Sequence, residues 1–203
     1  MAHPNLTVTE RAQPLSFVLT PTAPFRLDLT AWALRRQPSN RLDRWDGQTY
    51  KRCIQAGAVV FEAAVRQTRA GAQPLLEVKV AGPGPNEELE KAARVALGRL
   101  LGLKIDLGSF YTFAARKREL EPLVEEFRGV KPPRFPTSFE TLANGIIFQQ
   151  ISLAAGTSVY NRLVETFGHG VDGSGCHAFP PLPGAGNVCR PGPFRHAHRL
   201  QCH

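Results

Sequence analysis

No segment of this chain stays apolar for the roughly 20 residues that a bilayer-spanning helix needs, so no membrane span is predicted. The start, "MAHPNLTVTERAQ", has no apolar core behind a basic end and does not read as a secretory signal. Cysteine is scarce where order is expected: of four, only Cys53 precedes Gly168. These absences assign a cytoplasmic, reducing setting, in which disulfides are not expected. Cysteine and histidine also lack the short paired spacings by which thiolates and imidazoles converge on zinc, so neither metal nor cofactor is predicted. Nor is there a polybasic block. The formal charge is +8 with a pI near 9.8, but residues 1–168 hold 22 Lys+Arg against 16 Asp+Glu, and the last 35 hold three Arg against one Asp. Such a spread excess suits nucleic acid or another anionic partner as well as an ordinary surface, and says nothing of fold.

What is present begins, after a loose leader over 1–14, with β-prone "LSFVLTP" (15–21). "FRLDLTAWALRR" (25–36) reads as a strand running into a short helix. Strand signals come next: "RLDRW", the hairpin turn Asp46-Gly47, "QTYKRCIQA", Gly57, "AVVFEAAVRQ" and "LLEVKVAG". Asn86 is a suitable N-cap for a helix whose stripe is Leu89, Ala92, Ala93, Val95, Ala96, Leu100 and Leu101. The order predicts an antiparallel α+β domain over 15–105. Trp32 and Trp45 read as core or half-buried residues of it.

From Asp106 the pattern turns helical. "DLGSFYTFAARKRELEPLVEEFRG" holds one or two helices interrupted near Pro122, and "VKPPRFP" is a stiff connector. Phe110 and Tyr111 read as packing residues near the junction. Thr137 and Glu140 make a capping box, with Glu140 reaching back to the N-cap amide. Phe139, Leu142, Ala143, Ile146 and Ile147 succeed them at helical spacing. A second helix runs from about Leu153 to Gly168, read as its C-terminal stop. Ile146, Ile147, Val159, Leu163, Val164 and Phe167 are expected to lack most of their packing partners. Between the helices stand paired amides, Gln149 and Gln150. They either satisfy the exposed carbonyls of the first helix or serve a site.

After Gly168 periodicity ends. Three cysteines (Cys176, Cys189, Cys202) and five histidines (His169, His177, His196, His198, His203) lie among recurring Gly and Pro. Three readings stand: a Cys/His metal site, a genuine disordered tail, or a gene read out of frame, which is the favoured one. Residues 169–203 are therefore predicted to be aberrant and disordered. The dipeptide Phe179-Pro180 hints that the original frame persists to about there.

"FRLDLTAWALRRQPSNRLDRWDGQTYKR", with "FRGVKPPRFPTSFETLANGIIFQQISLAAGTSVYNRLVETFG" after it, resembles the bacterial alkylbase DNA glycosylases (3-methyladenine DNA glycosylase II), of the helix-hairpin-helix DNA glycosylase superfamily. The resemblance covers roughly 15–168. It implies a TBP-like domain over 15–105 and the first part of an all-helical glycosylase domain over 106–168. It implies double-stranded DNA with alkylated bases as partner, a nucleoid-associated cytoplasmic setting, and removal of a damaged purine after its nucleotide is flipped out. Gln149 then matches the pocket-side glutamine and Gln150 the wedge that fills the vacated stack, with Ile151 and Ser152 completing the corner. Lys131 and Arg134 become candidate phosphate contacts. The family's helix-hairpin-helix and catalytic aspartate lie downstream of this motif. Here Asp172, in "VDGSG", is the one carboxylate after Gly168 and has no helical pattern around it, so no catalytic residue is assigned and the chain is expected to be inactive.

Overall fold

The computed structural model describes residues 14–132, 134–171 and 175–180. Its first part alternates β1 (Leu15–Leu19), α1 (Leu27–Arg35), β2 (Arg44–Trp45), β3 (Thr49–Ala56), β4 (Val59–Arg69), β5 (Leu75–Ala81) and α2 (Asn86–Leu100). The strands form one antiparallel sheet ordered β1-β5-β4-β3-β2. Period-two alternation sets its faces. In β5, Leu76, Val78 and Val80 are buried while Glu77 and Lys79 are not; in β4, Phe61, Ala63 and Val65 are buried. The apolar stripe of α2 (Leu89, Ala93, Leu97, Leu100) joins these residues in one core with Leu27, Ala31 and Leu34 of α1. Each large side chain in it gains about 1.5–3 kcal/mol by leaving water.

Local chemistry explains the turns. Asp46 Oδ1 accepts the amides of Gln48 and Thr49 at 3.0 and 2.8 Å, and Gly47 takes φ 102°, so Trp45 comes opposite Tyr50. Two expectations shift. Pro85, not Asn86, takes the N-cap position of α2. Trp32 is 62% exposed, because the inward stripe of α1 is Leu27, Thr30, Ala31 and Leu34. Its ring lies 6.1 Å from that of Phe127.

The second part is helical: α3 (Gly108–Ala114), α4 (Glu121–Glu126), α5 (Ser138–Ile147) and α6 (Leu153–Phe167). The chain is thus α+β, with mixed helix and antiparallel sheet. Phe139, Ala143 and Ile147 of α5 pack toward Tyr160 and Val164 of α6. Leu142 and Ile146, on the other side of α5, are 63% and 68% exposed, as are Val159 and Phe167 in large part. Val164, expected to lack partners, is buried; Ile147 and Leu163 are half-covered.

The expected loss of structure at Gly168 does not occur there. β6 (His169–Val171) and β7 (Cys176–Ala178) form a hairpin. Gly168 is not a left-handed helix stop, having φ −73° and ψ 153°. Its role is steric: a Cβ there would collide with the carbonyl oxygens of Val164 and Ala178. Phe179 packs on Tyr160, ring centroids 5.4 Å apart, in a cluster with Leu42 and Val164. Cys176 is disulfide-bonded to Cys53 of β3, Cα atoms 5.9 Å apart. That pairing corrects the expectation of free thiols: β7 lies against β3, so residues 123 apart in sequence meet. Residues 181–203, with Cys189, Cys202, His196, His198 and His203, lie outside the described residues, as do 1–13 of the leader. Among the described residues no helix is long and apolar enough to cross a membrane.

A buried ionic cluster joins the two parts. Arg52 of β3, 1% exposed, donates to Asp43 at 2.7 Å and to Glu140 of α5. Tyr50 donates to Asp43, and Tyr160 of α6 donates to Glu140 at 2.8 Å. Burial opposes the charge of Arg52, but the two carboxylates outweigh it and hold its pKa well above the ordinary value. Burial raises the pKa of Glu140 despite Arg52. The hydroxyls of Tyr50 and Tyr160 are pushed well above their ordinary value, first by burial, then by the adjacent carboxylates. Glu140 therefore does not close the expected capping box. Thr137 does cap α5, accepting the Glu140 amide at 3.1 Å, but the carboxylate faces Arg52.

Arg52→Met should destabilise the chain by about 3–5 kcal/mol in urea denaturation, because it strands two buried carboxylates. The native state holds the tyrosyl protons above the pH at which an unfolded chain releases them, about 10. That stability is fully present below pH ~10 and is lost as pH rises through the elevated native values. Alkaline titration monitored by circular dichroism should show unfolding coincident with ionisation of Tyr50 and Tyr160. Separately, the bare apolar residues of α5 and α6 should drive self-association at high concentration. Ile146→Ser with Phe167→Ser should raise the monomer fraction in sedimentation; a wild type that is already fully monomeric would contradict this.

Candidate nucleic-acid interface

The corner between α5 and α6 is built by main chain, not by the glutamine amides. Phe148 N–H reaches the Asn144 carbonyl and Gln149 N–H the Ile146 carbonyl, each at 3.2 Å. Ser152 then opens α6, its Oγ accepting the Ala155 amide at 3.2 Å. The side chains of Gln149 and Gln150 are exposed and make no hydrogen bond to another described residue. The capping reading of these amides is thus not what the structure shows: the helix end is closed without them. Gln150 has φ 56°. For a non-glycine residue this left-handed conformation costs on the order of 1–3 kcal/mol, and such strain concentrates at functional positions.

Phe148 holds the corner in place. Its ring lies so close to α6 that a Cβ on Gly156 would stand 2.5 Å from Cδ1. Glycine is the residue that admits this approach. On other sides the ring meets Tyr160, centroids 6.1 Å apart, and the guanidinium of Arg36, 4.8 Å from its centroid. Arg36 comes from the end of α1, so the sheet-bearing part and the helix pair meet at the corner as well as at Arg52. Phe148, Gly156 and Arg36 were not singled out by sequence. A glycine inside an otherwise apolar helix was the available signal, since it weakens the helix unless close packing requires it.

The other candidates separate. Ile151 is exposed beside Gln150. Ser152 is exposed, with its hydroxyl oxygen engaged as a cap. Arg134 is exposed. Lys131 is not a surface cation: it is buried, its Nζ donating to the Ile105 carbonyl at 2.7 Å and its amide to Thr30 Oγ1. Burial lowers its pKa, with Asp106 opposing. This corrects its assignment as a phosphate contact; the proline connector tucks it under α1 instead. Asp172 lies outside the described residues. Phe110 and Tyr111 line an apolar cleft of about 460 Å³ with Leu123, Val124 and Phe127. Among the described residues no three His, Cys, Asp or Glu side chains come together as a metal site would need.

No family model matches this sequence, and no curated protein does. Solved structures do. The 3-methyladenine DNA-glycosylase from Archaeoglobus fulgidus aligns with 81% of this chain and 55% of its own, at 22% identity and a TM-score of 0.63. MBOgg1 in complex with a low-affinity DNA ligand aligns with 82% and 52%, at 15% identity and a TM-score of 0.58. The Clostridium acetobutylicum 8-oxoguanine glycosylase/lyase bound to double-stranded DNA aligns with 78% and 49%, at 18% identity and a TM-score of 0.53. The chain has a DNA-glycosylase-like fold and spans about half the length of the structures it resembles.

Replacing the strained residue should separate stability from function. Gln150→Gly removes the left-handed strain, less the added chain entropy of glycine, for a gain of about 0.5–1 kcal/mol in urea denaturation. A loss of stability would mean that the Gln150 side chain supports the fold.

Proposed function

We propose that this chain is the lesion-probing half of an alkylpurine DNA glycosylase, binding duplex DNA through Gln149–Ser152 without cleaving the glycosidic bond. The observation that carries this is Gln150: an exposed, unpartnered amide held at φ 56° on a rigid corner. Flipping a nucleotide leaves a gap opposite an unpaired base. A glutamine is long, uncharged, and both donor and acceptor, so it fills the gap and hydrogen-bonds the orphan. Gln149, on the preceding position, faces the flipped base. Residues 15–105 are then the TBP-like domain and 106–168 the first part of the helical domain. The glycosylase folds to which the chain is similar, two of them with bound DNA, support duplex DNA as partner; alkylated purines come from the sequence resemblance.

The segment after α6 favours binding without hydrolysis. Its described residues form a β-hairpin tied to β3, not a helix-hairpin-helix presenting amides to a phosphate. Cleavage also needs a carboxylate at the sugar to activate water or to stabilise the developing cation. General acid–base help contributes about 10²–10⁴ in rate and electrostatic stabilisation adds to it. Asp172, in "VDGSG", is not matched to such a carboxylate by the sequence resemblance. With Lys131 buried, Arg134 is the one of the two sequence-proposed phosphate contacts left at the surface, so affinity should be weak.

The expected result is duplex binding with Kd on the order of 10⁻⁴–10⁻⁶ M at moderate salt, read by fluorescence anisotropy, and no base release from N-methylated purine duplexes by chromatography. Base release above a heat-treated control would overturn the non-catalytic reading. Absence of any binding at low salt would leave a folded product without this function.

A further inference from the structure

Only two non-glycine residues among those described have positive φ, Arg36 at 58° and Gln150 at 56°. They are 114 positions apart in sequence, yet both adjoin Phe148: Gln150 is two residues beyond it, and the Arg36 guanidinium lies 4.8 Å from its ring centroid. At Arg36 the chain makes a tight turn, with the Gln37 amide bonded across it to the Arg35 carbonyl at 2.6 Å. Its amide still bonds the Trp32 carbonyl as an ordinary helix end would, while its own φ of 58° and ψ of −46° are those of a turn that a non-glycine residue rarely adopts.

Its side chain is also an exception among neighbouring arginines. Arg35 donates to the carbonyls of Trp45 and Pro38, Arg26 pairs with Asp28, Arg41 with Glu165, and Arg44 with Glu62. The guanidinium of Arg36 makes no hydrogen bond or ion pair with a described residue, and it is half-exposed. A guanidinium against an aromatic face keeps its in-plane N–H donors free for a second partner. An anion rich in acceptor oxygens suits such a fork of donors, at the edge of the corner that carries Gln150.

We propose that Arg36 is a ligand for a DNA backbone phosphate next to the site where Gln150 enters the stack. The proposal rests on the duplex-binding reading above. Phe148 serves both residues: it orients the guanidinium and, jammed on Gly156, fixes the turn that projects Gln150. The N-terminal part thereby supplies a cation that the sequence assigned to Lys131.

The test uses the full chain and a short duplex, with anisotropy measured over a salt series. One phosphate contact contributes a slope of about 0.9 in log K against log salt. Arg36→Asn, which removes the guanidinium, should lower the magnitude of the slope by about that amount, with an unchanged circular dichroism melt. Arg36→Lys should keep the slope while binding more weakly, because the stacked geometry is lost. Arg99→Gln, an exposed charge on α2, should leave the slope unchanged. A wild-type slope in Arg36→Asn overturns the assignment while the duplex-binding reading stands, as does an equal loss in Arg99→Gln, which would make the effect one of net charge. A wild type that binds no duplex overturns both.

Discussion

The guanidinium of Arg52 is the point on which the two parts of the molecule meet. It rises from the middle of β3 into a space closed by Asp43, from the loop before β2, and by Glu140, from the first turn of α5. Tyr50 and Tyr160 complete the carboxylates' hydrogen bonding from the sheet side and the helix side. Such a cluster is weak grounds for net stability, since removing three charges from water costs several kcal/mol each and their attraction roughly repays it. Its effect is geometric. An apolar contact between sheet and helix would tolerate sliding; a guanidinium with carboxylates on two sides does not. The buried Nε of Arg52, without a partner among the described residues, shows the limit of that satisfaction.

From this anchor the helix carries position forward. Glu140 lies in the first turn of α5, and Phe148 comes directly after its end. At one end the helix is fixed by Arg52, at the other by the Phe148 ring against Gly156. Two fixed ends over-determine a ten-residue helix, which is the condition under which a strained residue such as Gln150 persists rather than relaxing. The strain at the corner and the buried ions at the interface are thus linked: the second makes the first tolerable. Sites that must enter a ligand are best presented this way, on a rigid element with its supporting shell locked.

Much of this was legible in sequence, and the parts that were not share a cause. The Asp46-Gly47 turn, the alternation of β5, the Thr137 cap and the span of α6 depend on residues close in the chain, so their patterns could be read. Glu140 was read as half of a capping box because the local motif permits it; the partner that won, Arg52, is 88 residues away. Lys131 looked like a surface cation because nothing in "VKPPRFP" shows that it is covered. The hairpin of β6 and β7 was invisible because strands of three residues are too short to display alternation. Only Phe179-Pro180 hinted that packing continued, and Phe179 is buried. The glutamine pair stands out in the sequence, but what holds its corner does not, since Phe148 and Gly156 make sense only when the ring is seen on the helix.

The outer side of α5 bears on how much of a glycosylase-like unit these residues supply. A helix whose apolar residues lie on one side belongs at a surface; one apolar on two sides belongs inside a larger core. In α5 the inward side carries Phe139, Ala143 and Ile147, and the outward side Leu142 and Ile146. The exposed pair would forgo roughly 1.5–3 kcal/mol per side chain by remaining in water, a loss the Arg52 cluster does not offset. The alignment with about half the length of similar glycosylase structures accords with a helix written for burial on both sides. The corner does not depend on that further cover. Its anchors, Arg52 with Glu140 and Phe148 with Gly156, all lie within residues 52–156. The corner proposed to probe the duplex can therefore keep its shape without that cover.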